Sequence, residues 1–195
     1  MSKYSFEIFN SANTTKTIVV PAIALMEGTI VRELNGEDYI EFTVNRRDAI
    51  WSSLDHGIIV RLVDNSVIPV TYRSFRVISL REERTTENRV VGFVRAEHIK
   101  YDLSTQIHAA AEEIIEQTPT THLTKILTGS GFTVGTVTPT DRVTIPYAYN
   151  TRLFDLEQVR AITGYDLVVN ENKSVDLETQ SSNTTAAIRF RRNLS

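Results

Sequence analysis

The sequence predicts a mainly β chain with an α+β part: a small β-barrel domain over residues 1–102, followed by an α+β domain over residues 103–195. Three observations carry that prediction. Apolar and polar residues alternate with period two through much of the first hundred positions, the mark of strands with one buried face. Turn-forming residues interrupt those runs at short intervals, as in small barrels and sandwiches. After Leu103 the apolar spacing lengthens to the helical period in several places.

The first strand is "YSFEIFN", where Tyr4, Phe6 and Ile8 alternate with Ser5, Glu7 and Phe9. "KTIVVPAIALMEGTIVREL" holds two apolar runs, and Pro21, which has no N–H to donate, marks an edge or a break between them. In "VRELNGEDYIEFTVN", Asn35-Gly36 tolerates positive φ and predicts a two-residue hairpin turn. Beyond it Ile40, Phe42 and Val44 share one face, and Tyr39, Glu41 and Thr43 the other. "GIIVRLVDNSVIPVTYRSFRVISL" is a second hairpin turning at Asp64-Asn65-Ser66. The mixed charges of "REERTTENR" read as the solvated tip of a third.

The later part begins with "STQIHAAAEEIIEQT". Ile107, Ala110, Ala111, Ile114 and Ile115 form one helical face there, with Ser104 as N-cap and Pro119 as the break. "THLTKILTGSGF" resumes the helix through Leu123, Ile126 and Leu127 and ends it at Gly129. A short strand, "FTVGTV", follows. "TRLFDLEQVRAITG" is an amphipathic helix with Leu153, Leu156, Val159 and Ile162 inward and Gly164 at its end. A hairpin turns near Glu171-Asn172-Lys173, and "AAIRFRR" is the last strand of the second domain.

Composition narrows the function classes. The 195 residues are 41% apolar and 23% charged, ordinary for a globular protein that buries its core without covalent staples. There is no cysteine, which excludes disulfides and thiolate metal sites and fits a reducing compartment. The net charge of −3 supplies no global basic field for nucleic acid. No run approaches the length of a membrane-spanning helix, and the N-terminus does not read as a signal peptide. The expectation is a soluble protein made inside the cell.

One stretch concentrates chemistry: "VRAEHIKYDL", with Glu97, His98, Lys100, Tyr101 and Asp102 close together. In a strand, successive side chains point to opposite faces. Glu97 then sits with Phe93 and Arg95, and His98 with Val94 and Ala96, so the pair cannot share a metal ion or a proton relay. His98 and Asp102 share a side only if the chain bends between them. His56, His108 and His122 show no metal-ligand spacing. "GSG" at Gly129–Gly131 is neither a nucleophile elbow nor a phosphate loop, and reads as a helix end plus turn. Asp155 and Glu157 sit in the first turn of a helix, where negative charge suits the dipole. Trp51 is either a sugar-stacking platform or a core anchor. Arg189 and Arg191 share one strand face, which is either solvated or turned to phosphates. No catalytic, metal or cofactor residue is assigned.

The order of features is familiar. "LNGEDYIEFTV", "WSSLDHGIIVRL", "YRSFRVISLREE", "VRAEHIKYDL" and "THLTKILTGSGFTVG" follow one another as in the N-terminal region of phage tail-hub proteins, the tail-associated lysin or prophage tail endopeptidase family. The resemblance runs from about Leu34 to Asn193, ending in "IRFRRNL". It implies a virion structural protein of the tail tip or baseplate hub, made in the host cytoplasm. The first domain would be a tube-wall barrel in a homotrimeric ring. That ring would attach to the distal tail protein ring and other tail-tip proteins, and phage DNA would pass through its lumen without specific binding. It implies no enzyme, no cofactor and no membrane insertion. Family hubs continue into a second tube barrel and often into enzymatic or sugar-binding extensions. Two rival readings stay open: a cell-wall hydrolase using Glu97, His98 or Asp102, and a monomeric carbohydrate- or surface-binding β module using Trp51 and nearby tyrosines.

Overall fold

The computed structural model describes residues 4–21, 27–33, 36–84, 90–107, 112–179 and 186–191. Its early strands are β1 (Tyr4–Phe9), β2 (Lys16–Pro21), β3 (Glu27–Arg32), β4 (Asp38–Asn45), β5 (Ile59–Asp64), β6 (Thr71–Arg84) and β7 (Val90–His98), with the short helix α1 (Ala49–Ser52) after β4. A 3₁₀ helix covers Ile99–Thr105. Then come β8 (Glu112–Gln117), α2 (Pro119–Leu127), β9 (Thr133–Val137), β10 (Val143–Tyr147), α3 (Arg152–Thr163), β11 (Asp166–Val169), β12 (Ser174–Glu178) and β13 (Ala186–Arg191). The chain divides into two compact units: residues 1–99 with 184–195, and residues 100–183. The mainly β class with an α+β part is therefore correct.

The first unit is one eight-stranded sheet in the order β13-β3-β4-β7-β6-β5-β1-β2, antiparallel throughout. Period two explains its faces. Ile40, Phe42 and Val44 of β4 are buried, while Tyr39, Glu41 and Thr43 are only half-buried. The same alternation runs through Val94, Ala96 and His98 of β7. Two features of this unit differ from the sequence reading. The sheet does not close into a barrel: among the described residues no ladder joins its edge strands β13 and β2. It folds over instead. Phe6 of β1 and Phe42 of β4 have ring centroids 5.5 Å apart, yet they are four ladder steps apart, roughly 19 Å in a flat sheet at about 4.8 Å per strand. Apolar burial drives that closure without requiring the edges to meet. The facing halves share one core containing Phe6, Ile30, Ile40, Phe42, Leu62 and Phe75. The second difference is the place of β13. It pairs with β3, Ile188 opposite Ile30, so the last strand belongs to the first unit and not to the second. A strand's backbone groups need a partner ladder, and the available edge lay far back in the sequence.

The β3–β4 hairpin also departs from expectation. Arg32 pairs with Asp38, and the Glu33 N–H donates to the Glu37 carbonyl at 2.7 Å, so three residues intervene, not two. Asn35 itself lies outside the described residues. The hydrophobic pattern explains the wider loop. The observed register sets buried Ile30 opposite buried Ile40, whereas a two-residue turn would shift every pair by one and mismatch the faces. The β5–β6 connection is longer than a turn at Asp64-Asn65-Ser66, because Asp64 pairs with Thr71. Its Ile68–Pro69 peptide is cis. The tip of the β6–β7 hairpin, 85–89, lies outside the described residues.

In the second unit, β10 pairs with β8, and a three-stranded sheet runs β11-β12-β9. The helix expected over "STQIHAAAEEIIEQT" is absent at its C-terminal half, where Glu112–Gln117 is the strand β8. Ile114 stands opposite Ile145 and Ile115 is exposed, so the two isoleucines point apart instead of sharing a helical face. Pro119 helps decide this. It is the first residue of α2, and it holds Thr118 extended, so no helix runs through that point. Ser104 falls within the 3₁₀ helix, its hydroxyl donating to the Tyr101 carbonyl at 2.7 Å. Ala110 and Ala111 lie outside the described residues. Helix α3 ends at Gly164 with φ 74°, as its sequence predicts. Its inward stripe is Asp155, Leu156 and Val159, continuing to half-buried Thr163, so Ile162 is exposed and not inward.

Candidate functional site

The stretch richest in chemistry proves to be a strand end. His98 is 2% exposed and sits edge-on to Phe75, ring centroids 5.9 Å apart, with its Nδ1 4.0 Å from Asp38 Oδ2. Asp38, also buried, is held by the Arg73 guanidinium. Glu97 lies on the other face of β7, 3.8 Å from Arg95, which also reaches Glu41 at 2.9 Å and stacks over Tyr39. Glu97 and His98 are not brought together. Asp102 lies in the 3₁₀ helix, in the second unit, and its carbonyl accepts from Thr105. Among the described residues no group of three His, Asp or Glu side chains is placed to hold a metal ion.

Several of the remaining single residues have structural employment. Trp51 lies so flat on β7 that a Cβ at Gly92 would come within 2.0 Å of its ring, and Arg46 covers the ring at 5.6 Å. Half-buried, it packs on the core that contains Ile50 and Leu54. Ser130 of "GSG" donates to the Leu127 carbonyl at 2.6 Å and accepts from the Phe132 N–H at 3.0 Å. Asp155 is buried at the start of α3, where Asn150 donates to it at 3.3 Å, and Glu157 pairs with Arg160. His56 is exposed, and His108 lies outside the described residues. Arg189 and Arg191 occupy ladder positions opposite Thr29 and Glu27. Other arginines of the sheet are engaged by aromatic faces: Arg61 lies over Phe9 at 3.9 Å and Tyr72 at 4.5 Å, and Arg81 over Phe93 at 4.2 Å.

Three features escaped the sequence. His122 is buried in the second unit, its Nε2 donating to the Val143 carbonyl at 3.0 Å and its Nδ1 accepting from the Tyr147 hydroxyl at 2.7 Å. Burial pushes its pKa below the usual histidine value, the Val143 bond opposes this, and nearby Lys125 adds to the lowering. Nothing local in "TTHLTK" announces a buried imidazole. The second is the Asp38–Arg73–His98 cluster, whose members are far apart in sequence. The third is the β5–β6 loop, where Val67 is 41%, Ile68 97% and Val70 52% exposed. "SVIPV" between turn residues was the available signal. Among the described residues, β2 and β13 are the edge strands of the first unit's sheet, and this loop carries exposed apolar side chains.

No known family model matches the sequence, and no curated protein is a detectable relative. Solved structures do match. Prophage tail protein gp18 from Listeria monocytogenes EGD-e superposes with a TM-score of 0.67 at 17% identity, covering 90% of this chain and 50% of that one. The 43 kDa tail protein of prophage MuSo2 from Shewanella oneidensis gives 0.62 at 11% identity, covering 93% and 55%. A tail protein from Neisseria meningitidis MC58 gives 0.61 at 10% identity, covering 89% and 50%. The chain therefore spans about half the length of these tail proteins. Over nearly its whole length it has the fold of phage and prophage tail proteins.

Proposed function

We infer that this chain is a structural subunit of a phage tail tip or baseplate hub, in the virion, and not an enzyme. The carrying observation is the shared fold with prophage tail proteins across 90% of the chain. In this reading the first unit is the tube-wall domain, and three copies form a ring that attaches to the distal tail protein. The open sheet supports it. A strand edge left bare invites uncontrolled pairing, so an assembly subunit covers its edges with neighbours. Different edges on the two sides, β2 and β13, suit a head-to-tail contact whose rotation closes into a ring. Lys16 and the register shift at Ile8/Phe9 discourage further strand addition at β2, so a neighbour on that side would dock by side-chain packing. Phage DNA would pass the ring without tight binding, consistent with a net charge of −3 and arginines already engaged by carboxylates and rings.

Mass measurement across micromolar concentrations tests the reading, with the chain alone and mixed with the distal tail protein of the same phage. A trimer, or a complex with that protein, is expected, with more than roughly 1,000 Å² buried per stable contact. A strict monomer in both conditions rejects the ring. Hydrolysis of peptidoglycan by the purified chain rejects the non-enzymatic part.

A further inference from the structure

We propose that the polar end of the first unit's core, where β1, β3, β5 and β6 meet a cavity, is a binding site for a neutral saccharide ring. Strand alternation builds it. Tyr4, Arg32, Asp64 and Arg73 each stand two residues from a core side chain of their own strand, so they share its inward face. Those core neighbours are Phe6, Ile30, Leu62 and Phe75. Beyond them the apolar core gives way to polar side chains around a cavity of 210 Å³. Buried Ile30 and Leu62 are in its lining, and exposed Thr71 stands at its rim. Apolar side chains with a few convergent polar groups are the usual make-up of a small-molecule site.

The lining selects the ligand. Its charges balance: Arg32 and Arg73 are offset by Asp64 in the lining and by buried Asp38, which pairs with Arg73. An ionic ligand leaves one sign in excess, with a desolvation cost that nothing repays. A purely apolar ligand strips water from the charged groups and returns no hydrogen bond. A saccharide hydroxyl avoids both costs, because it donates to a carboxylate and accepts from a guanidinium at once. The partners already present do not close the site. Asp64 Oδ1 accepts from the Ser66 N–H at 2.8 Å and Arg73 donates to Asp38, but a carboxylate and a guanidinium each bond several groups. The C–H face of the ring meets Ile30 and Leu62. Size agrees, since 210 Å³ lies below the roughly 300–1,000 Å³ of sites for drug-sized ligands and leaves room for one ring. A free monosaccharide and the end residue of a glycan present the same hydroxyls.

Saturation-transfer NMR on the full chain tests the site. The probes are the methyl glycosides of glucose, galactose, mannose, rhamnose and N-acetylglucosamine at millimolar concentration. Transfer to at least one of them is expected. Thr71→Trp, which fills the cavity from an exposed position, should abolish it, with circular dichroism confirming an unchanged fold. Arg32→Gln should weaken the affinity by roughly ten-fold, the factor of one lost hydrogen bond to a charged group. The best ring is then offered as the end residue of an oligosaccharide. Transfer concentrated on that residue assigns a glycan end, and its loss assigns the free sugar. The proposal is overturned by the absence of transfer to every probe, by transfer that survives in Thr71→Trp, or by tighter binding of inorganic phosphate in the same cavity. The site lies within one unit of one chain, so its failure leaves the ring reading standing.

Discussion

His98 in the first unit closes a strand beside the Asp38 carboxylate and the Phe75 ring, whereas His122 in the second hydrogen-bonds two neutral groups, the Tyr147 hydroxyl and the Val143 carbonyl. The contrast extends to the units around them. The first sets buried Asp38 and His98 beside the half-buried Arg73 guanidinium at one end of a folded-over sheet, next to an apolar core. The second is smaller and sets a neutral imidazole against its core, touching Tyr147. A polar network of this kind is lost as a unit, while a buried neutral imidazole couples folding to pH. The two units should therefore fail under different stresses.

The largest effect is expected from Phe75→Ala. Phe75 is fully buried and touches both the apolar core and His98. Its loss should cost the first unit about 4 kcal/mol. Hydrogen exchange should accelerate across β4 to β7 and leave α2 and α3 unchanged; acceleration in both units alike would mean that they unfold together.

Gly92→Val should cost roughly 3 kcal/mol, because its Cβ falls inside the Trp51 ring and strand or ring must move. Trp51 is the only tryptophan, so its fluorescence reports the displacement without ambiguity. Unchanged emission and melting would show that Trp51 is no anchor, and would reopen the sugar-platform reading.

Acid should act on the second unit. The folded-state pKa of His122 is lowered, so the unfolded chain takes up its proton more readily. The stability this group contributes is complete above the ordinary histidine pKa of about 6.5 and is lost as pH falls below it towards the folded value. Hydrogen exchange at α2 and β10, corrected for intrinsic rate, should show less protection at low pH than at neutral pH. His122→Gln should flatten that dependence. A slope that survives the substitution would assign the effect to another group.

The smallest effect belongs to the helix caps. The Thr118 hydroxyl accepts from the Thr121 N–H and the Thr151 hydroxyl from the Phe154 N–H, both at 3.3 Å. Thr151→Ala should lower the stability of the second unit by about 1 kcal/mol and leave the first untouched, as read by chemical denaturation with segment-resolved exchange. A loss above that of Gly92→Val would invert the expected ranking.

Much of the fold was legible. Alternation in "DYIEFTVN" and "VVGFVRAEH" predicted which side chains face inward, and the alternation alone separated Glu97 from His98. The candidate surfaces were less so. The apolar loop was hidden behind its turn residues, because exposure depends on whether another element covers a segment. Ile114-Ile115 misled because two adjacent isoleucines suit a helix face or a strand equally, and the partner strand β10 lies some thirty residues on.

Local chemistry therefore settles a definite part of this protein in advance: strand faces, the helix end at Gly164, the hairpin at Lys173 and the absence of any disulfide. Each depends on a residue and its near neighbours along the chain. The tertiary structure decided the rest: β13 beside β3, the three-residue β3–β4 loop, the open folded-over sheet and the burial of His122. Those outcomes are contests between distant partners for the same backbone donors and the same apolar surface. Their winner is set by the free energy of the whole packing and not by any single segment.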